Sequence, residues 1–249
     1  SGAIAAGEPV NFVVPTGNFG DILAGWYAKN MGLPVGKLIC ASNRNNVLTN
    51  FFDSGIYSTH RVFFKTISPS MDILVSSNLE RLLYEAADRG GELVRVWMNL
   101  LKTCGSYSIG EQRLEWLDSV FYGGCADDHG TLDEIGLRFS KDRYLMDTHT
   151  AVASSVLRQY RAATKDDTPT VLVSTASPYK FSRDVLSGIL PSEAVEGLDP
   201  FVCSQKLEEI SGVPMPDQVR RLKDLPIRHH ASCEVEEMGA AVLRDFESK

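Results

Sequence analysis

Residues 10–25 are Val-Asn-Phe-Val-Val-Pro-Thr-Gly-Asn-Phe-Gly-Asp-Ile-Leu-Ala-Gly, and this stretch decides the fold. Its apolar beginning predicts a buried strand over residues 10–14, and the later apolar spacing predicts a helix over residues 21–31. The glycines of the intervening loop allow the backbone to approach a ligand closely. The first N–H groups of a helix have no intrahelical acceptor and carry partial positive charge. The stretch therefore predicts a site for one phosphate group.

The loop is a weak signal when taken alone, because a tight turn without a ligand explains it equally well. No Gly-Lys-Ser/Thr follows, which excludes a Walker loop, and the Gly-x-x-Gly spacing of Gly17 and Gly20 differs from the dinucleotide fingerprint. Asp21 is expected to cap the helix, since its charge would repel an anion.

The composition of the chain is that of an ordinary globular protein. It has 249 residues, 43% of them hydrophobic and 23% charged, with a net charge of −7. This acidic balance argues against a nucleic-acid or membrane surface as partner. A bound phosphate must therefore be held by local donors such as the N–H groups of the loop.

The cysteines and histidines point to neither disulfides nor a metal. The five cysteines are scattered without a Cys-x-x-Cys pair, and the five histidines show no metal-ligand spacing. Reduced thiols of this kind are typical of a cytoplasmic protein. No apolar run reaches membrane length, and Ser1-Gly2-Ala3 does not resemble a signal peptide.

Strands and helices are predicted to alternate along the chain, which indicates an α/β fold with an open, mostly parallel sheet and helices on both faces. The strand at residues 170–174 is expected to be buried on both faces. Leu100 is expected to face inward from its helix. The further predicted strands span residues 37–40 and 119–122, and the further helices span residues 46–53, 76–88, 92–102, 131–138, 149–160, 179–186 and 233–246.

Six stretches in order resemble threonine synthase, a pyridoxal 5'-phosphate (PLP) enzyme of the tryptophan-synthase-β fold type. The stretches are Pro-Thr-Gly-Asn-Phe-Gly-Asp-Ile-Leu-Ala-Gly (15–25), Gly-Leu-Pro-Val-Gly-Lys-Leu (32–38), Ser-Pro-Ser-Met-Asp-Ile (68–73), Ser-Ser-Asn-Leu-Glu-Arg (76–81), Asp-Thr-His-Thr-Ala-Val (147–152) and Ser-Thr-Ala-Ser-Pro-Tyr-Lys-Phe (174–181). Each is weak singly, but the ordered set is specific. The longer subtype of the family fits best, with insertions near residues 76–130.

The resemblance implies the last step of threonine biosynthesis, the conversion of O-phospho-L-homoserine and water into L-threonine and phosphate. It also implies PLP as cofactor, acting as an electron sink. Thr175 would place its hydroxyl against the pyridine nitrogen, unless Ser174 and Thr175 only cap the following helix. The residues implied for the cofactor phosphate are Gly17, Asn18, Phe19, Gly20 and Asp21.

Substrate-binding residues are implied less sharply. Ser70, Asn78, Arg81 and His149, with Ser68, are candidates for holding an anionic substrate. Arg81 is also expected on the outward face of its helix as a solvated charge. A helix cap made by Asp147 or Thr148 explains the cluster around His149 better than a substrate contact does.

The chain departs from the family in its lysines. A threonine synthase needs a lysine that bonds covalently to the cofactor, within a Phe-Lys-Asp stretch before the phosphate loop. Phe64-Lys65-Thr66 comes nearest, but it follows the loop and lacks the Asp. Residues 1–249 are therefore expected to form the C-terminal part of such an enzyme, covering most of its large domain, with the N-terminal domain absent.

A truncated piece, a proteolytic fragment and a split gene product are all compatible with that expectation. Such a piece is expected to be inactive alone and to self-associate through the surface left uncovered. A related phospho-lyase that releases phosphate and ammonia, and a non-catalytic module that binds a phosphorylated small molecule, remain alternatives.

Overall fold

A parallel sheet lies at the centre of the computed structural model, which describes residue 2, residues 4–228 and residues 230–247. In chain order the strands are β1 (Val10–Pro15), β2 (Val35–Ser42), β3 (Ile56–Ser58), β4 (Ser106–Ser108), β5 (Phe121–Cys125) and β6 (Thr170–Leu172). Four of them form one sheet in the order β5-β2-β1-β6, and all its pairings are parallel. β3 and β4 form a separate antiparallel pair.

The helices lie between these strands along the chain and also follow the last of them. They are α1 (Gly20–Asn30), α2 (Val47–Ser54), α3 (Leu79–Ala86), α4 (Gly91–Cys104), α5 (Glu111–Val120), α6 (Asp128–Asp142), α7 (Thr148–Thr164), α8 (Ser182–Ser187), α9 (Pro200–Ser211), α10 (Asp217–Leu222) and α11 (Met238–Glu247). Contacts divide the chain into two units, one up to Met215 and a smaller one from Pro216 onward. The sheet belongs to the first unit.

Side chains alternate between the two faces of β2 and thereby create two cores. Leu38 and Cys40 pack with α1, α2 and α5 on one face. Ile39 and Ala41 pack with Val152 of α7 on the other. The predicted α/β fold, with an open parallel sheet and helices on both faces, is confirmed.

The predicted strand over residues 119–122 is placed too early. Helix α5 continues through Val120, and β5 begins only at Phe121. Leu117 and Val120 are both buried and lie three residues apart, which is the spacing of one helix face. The apolar run at the end of α5 therefore merges with that of the strand.

The strand at residues 170–174 is not buried on both faces. β6 ends at Leu172 and pairs only with β1, so it is an edge strand, and Val171 is 39% exposed. An apolar run predicts a strand, but it does not show whether that strand lies at the edge or in the centre of the sheet. The inward position expected for Leu100 is also wrong, because 38% of this residue is exposed.

The second unit contains the predicted closing helix. A 3₁₀ turn over Val235–Glu237 leads into α11, and its apolar residues Val242 and Leu243 are exposed. Among the residues that the structure describes, no helix is long and apolar enough to cross a bilayer, and no group of three acidic, histidine or cysteine side chains could hold a metal.

Candidate functional site

The turn from β1 into α1 presents a row of free backbone donors. Thr16 N donates to Ala41 O at 2.8 Å, and Leu23 N donates to Phe19 O at 3.2 Å. The six N–H groups between them, at residues 17–22, have no acceptor within the part of the chain that the structure describes. These residues line a cavity of about 230 Å³. A run of unpaired N–H groups at a helix N-terminus is suited to an anion with several oxygens.

Phe19 fixes the shape of this turn. It has a left-handed backbone with φ of 64°, and its side chain is only 1% exposed. The ring packs against Phe52 and Phe121, with centroid distances of 6.1 and 6.0 Å. Burial of this ring in the core holds the unfavourable backbone conformation in place. Phe19 can therefore serve a ligand through its backbone N–H and not through its ring.

Asp21 does not cap α1. The cap position is Phe19, and no side chain accepts a hydrogen bond there. Asp21 lies one residue into the helix, in its first turn, where a carboxylate interacts favourably with the helix dipole. The cap expectation is wrong because the left-handed Phe19 takes the cap position, two residues before Asp21, and the helix already begins at Gly20.

Gly17 is required by a neighbouring segment of backbone. A Cβ at this position would lie 2.6 Å from the carbonyl oxygen of Ser70, in the 3₁₀ turn Pro69–Met71. At Gly20 the nearest atom to such a Cβ is Asn78 Nδ2, at 3.6 Å. The close approach that was expected between loop and ligand is thus, at Gly17, a close approach between two loops.

Ser76 and Asn78 brace the loop from the other side. Ser76 Oγ donates to Gly17 O at 2.8 Å. Both the backbone N and the side-chain Nδ2 of Asn78 donate to Asn18 O, at 3.1 and 2.8 Å. These bonds occupy the carbonyl groups of the loop and leave its N–H groups free. Asn78 therefore acts on the loop, whereas Arg81 lies on the exposed face of α3.

A second cavity, of about 180 Å³, adjoins the first and shares Gly17 and Asp21 with it. Ser70, His149 and Thr175 also line it. Thr175 follows β6 and the loop follows β1, and these strands are parallel neighbours, so both sites lie beyond the same edge of the sheet. The structure therefore brings five of the predicted site residues together.

Lys180 lines this second cavity as well, and the sequence reasoning did not single it out. Ser177 Oγ accepts a hydrogen bond from Tyr179 N at 3.3 Å and starts the 3₁₀ turn Pro178–Phe181. The cap is thus Ser177, not Ser174 or Thr175. The Ser-Pro pair in the quoted motif is the sequence signal that predicts a turn here and a return of Lys180 toward Thr175.

His149 combines a helix cap with a cavity wall. Asp147 Oδ1 accepts from the backbone N of His149 at 2.8 Å and of Thr150 at 3.2 Å, as the cap interpretation predicts. The imidazole is 2% exposed and its Nε2 accepts the N–H of Ser70 at 3.1 Å. The N-terminus of α7 thereby positions the 3₁₀ turn Pro69–Met71, which lies against Gly17.

The electrostatics of Asp147 follow from this arrangement. Burial alone would raise the pKa of its carboxyl, but hydrogen bonds from His149 and Thr150 favour the carboxylate. The net result is a pKa below the ordinary value. The carboxylate is therefore built into the fold as a charged acceptor.

A buried polar network positions the segment that contains Ser68 and Ser70. Asn43 Nδ2, just after β2, donates to Thr66 Oγ1 at 2.8 Å, to Ser68 Oγ at 3.1 Å and to Asp72 Oδ1 at 2.8 Å. Ser68 is 1% exposed within this network. Ser68 therefore supports the segment, and Ser70 is the member of the pair that reaches the cavity.

Comparison with known proteins finds similarity to one family of enzymes. The family model described as "Threonine synthase, C-terminal" matches residues 150–238. The chain is 35% identical over 238 residues to the threonine synthase of Eremothecium gossypii, covering 89% of this chain and 44% of that protein. It is 39% identical over 196 residues to human "Threonine synthase-like 1", covering 78% of this chain and 26% of that protein.

Two solved structures resemble the fold. A yeast threonine synthase matches with a TM-score of 0.81 at 31% identity, covering 97% of this chain and 48% of that one. A PLP-bound threonine synthase from Brucella melitensis matches with a TM-score of 0.71 at 37% identity, covering 84% of this chain and 48% of that one. The chain spans less than half the length of each of these relatives.

Proposed function

Because the chain is homologous to threonine synthases, we propose that it carries the cofactor-binding part of a PLP-dependent lyase of threonine biosynthesis. The observation that carries the proposal is the pairing of two adjoining cavities at one sheet edge. One is lined by the six free N–H groups of residues 17–22, and the other contains Thr175.

The first cavity fits the phosphate of the cofactor. Six unpaired N–H groups in succession supply donors without any lysine, and the dipole of α1 adds partial positive charge. The groups at Gly17, Asn18 and Phe19 belong to the turn, and those at Gly20 and Asp21 belong to the helix. The bonds from Ser76 and Asn78 to the loop carbonyls hold these donors in place.

The second cavity fits the ring. We assign the hydroxyl of Thr175 to the pyridine nitrogen, where a neutral partner leaves the nitrogen without the proton that an acidic residue would hold there. When bound, PLP supplies an electron sink that stabilises negative charge on substrate carbon atoms. Ser70 and His149 form the wall beside Thr175 and are assigned to the substrate side.

For the whole enzyme we propose O-phospho-L-homoserine and water as substrates, with L-threonine and phosphate as products. A phospho-lyase that forms phosphate and ammonia from the same substrate is the second candidate. Assay of threonine against ammonia with a full-length protein separates the two. We place the protein in the cytoplasm, which suits its five free cysteines.

Residues 1–249 are further proposed to form most of the large domain, and none of their ten lysines to make the covalent bond to the cofactor. Lys65, the nearest motif match, is exposed and lies outside the Phe-Lys-Asp pattern of the family. We therefore expect this chain alone to form no threonine, and to self-associate through apolar surface.

The test is binding of PLP compared with pyridoxal, which lacks the phosphate. Removing the phosphate removes several charge-assisted hydrogen bonds to residues 17–22, each contributing roughly 1.5–3 kcal/mol. Pyridoxal is therefore expected to bind at least about a hundredfold more weakly, as measured by quenching of tryptophan fluorescence. Thr175→Val removes only the ring contact and should change the PLP dissociation constant less than omission of the phosphate does.

Equal affinities for PLP and pyridoxal would contradict the phosphate assignment. Loss of all PLP binding in Thr175→Val, with pyridoxal binding retained by the unaltered chain, would contradict the division between phosphate and ring sites. Asn18→Ala is the control, because it alters the loop and leaves its backbone donors in place; a modest weakening is expected.

A further inference from the structure

The charges around the second cavity are unbalanced without Lys180. Asp21 and Lys180 both line it, and Asp21 also lines the cavity assigned to the cofactor phosphate. A carboxylate beside an anion site opposes binding, so a nearby cation is needed to offset it. Among the residues that line these two cavities, Lys180 supplies the positive charge.

The ammonium group of Lys180 has no carboxylate partner within the part of the chain that the structure describes. Nζ lies 5.4 Å from the ring centroid of the adjacent Phe181. That ring in turn packs on His149, with a centroid distance of 4.8 Å. Lys180 is exposed, and its ammonium group lies beside the Phe181 ring without a carboxylate to neutralise it in the described part of the chain.

The position of Lys180 separates it from the cofactor phosphate. It lines the cavity that contains Thr175, Ser70 and His149, and it is absent from the residues that line the cavity of the loop. The loop already offers six unpaired N–H groups to one phosphate. Because the cofactor phosphate is assigned to the loop, an anion bound beside Thr175 would belong to the substrate.

We propose that Lys180 binds the phosphate group of the substrate and thereby distinguishes a phosphorylated amino acid from its unphosphorylated form. This inference rests on the proposed function, and it adds the residue that recognises the leaving group. A lysine suits this task, because its compact charge follows the phosphate without requiring one fixed geometry.

The test compares Lys180→Met and Lys180→Arg in the 249-residue chain with PLP present. The ligands are O-phospho-L-homoserine and L-homoserine, titrated by calorimetry. Lys180→Met should weaken binding of the phosphorylated ligand at least about tenfold, since it removes a charge-assisted contact. Lys180→Arg should stay within a few-fold, and neither variant should change the affinity for L-homoserine or for PLP.

Lys102→Met is the matched control, since Lys102 is exposed in the last turn of α4 and lies outside both cavities. It should bind every ligand as the unaltered chain does. Circular dichroism on all variants should show the same folded content.

The inference is overturned if Lys180→Met binds O-phospho-L-homoserine normally, if it loses PLP, or if the unaltered chain shows no saturable binding of the phosphorylated ligand. Borohydride reduction adds a covalent test: stoichiometric labelling of Lys180 by PLP would make it a nucleophile and would also overturn the inference. If PLP fails to bind but the phosphorylated ligand binds in a Lys180-dependent way, the proposed function fails and the inference stands.

Discussion

At Gly17 the structure leaves no space for a side chain. The carbonyl oxygen of Ser70 would lie 2.6 Å from a Cβ, whereas at Gly20 the nearest atom is 3.6 Å away and belongs to the side chain of Asn78. Gly17→Ala should therefore displace the 3₁₀ turn that contains Ser70, at a cost of about 1–3 kcal/mol in the free energy of unfolding. Gly20→Ala should cost less, because the contact there is an ordinary one.

Urea unfolding of the two variants measures this difference, and PLP affinity gives a second readout. Gly17→Ala should weaken both stability and PLP binding, because the loop donors and the turn move together. A loss of stability in Gly20→Ala as large as that in Gly17→Ala would show that helix initiation, and not the contact with Ser70, sets the requirement for glycine.

Gly17 also illustrates which requirements at single residues can be predicted from the sequence. The motif predicted that glycine is needed, but the atom responsible belongs to a turn more than fifty positions later in the chain. Lys180 was not predicted, because its role also depends on residues that are distant in the chain. Its importance depends on a cavity wall shared with residues of three other segments.

The N-terminus of α7 is the element whose charge matters most to the site. Asp147 is 1% exposed and its carboxylate accepts from two backbone N–H groups and from the hydroxyl of Thr150. Asp147→Ala should cost about 3 kcal/mol, since it removes a charged acceptor and leaves buried donors unpaired. Asp127→Ala removes the cap of α6, an exposed carboxylate that accepts from Gly130 N at 2.8 Å, and should cost about 1 kcal/mol.

The pH dependence of the Asp147 variant has a defined sign. The pKa of Asp147 is lowered in the folded chain, so its stabilisation is fully present above its unfolded pKa of about 4 and is lost as the pH falls through the folded value. The difference in free energy of unfolding between Asp147→Ala and the unaltered chain should therefore shrink on acidification. Urea unfolding at a series of pH values measures this difference in free energy of unfolding. If the difference stays constant below about pH 4, Asp147 acts through packing alone.

Elements were predictable where local pattern and final environment agree. The strand, loop and helix at residues 10–31 and the second strand carry clear apolar periods, and the sheet preserves them. The burial of β6 was predicted wrongly, because the position of a strand at the edge or centre of the sheet depends on which strands pair. The boundary between α5 and β5 was misplaced because one apolar run crosses it.

Where the structure describes side chains, the buried ones belong to the first unit. Both sides of the sheet are packed by helices, and α7 alone contributes ten buried residues, among them Ala151, Val152 and Val156. In the second unit, no side chain is buried at residues 216–228, 230–244 and 246, the positions at which the structure describes side chains. Since most helical stability comes from packing an apolar face, α10 and α11 lack the main source of protection against local opening.

Hydrogen–deuterium exchange tests this contrast directly. Amides of α7 should exchange only on global unfolding, so their rates should follow the stability of the whole first unit as urea is added. Amides of α10 and α11 should exchange orders of magnitude faster, with rates nearly independent of low urea concentrations, because their opening exposes little additional surface. Protection of α11 equal to that of α7 would require an apolar partner surface for Val242 and Leu243, such as a second copy of the chain, and dilution would then remove that protection.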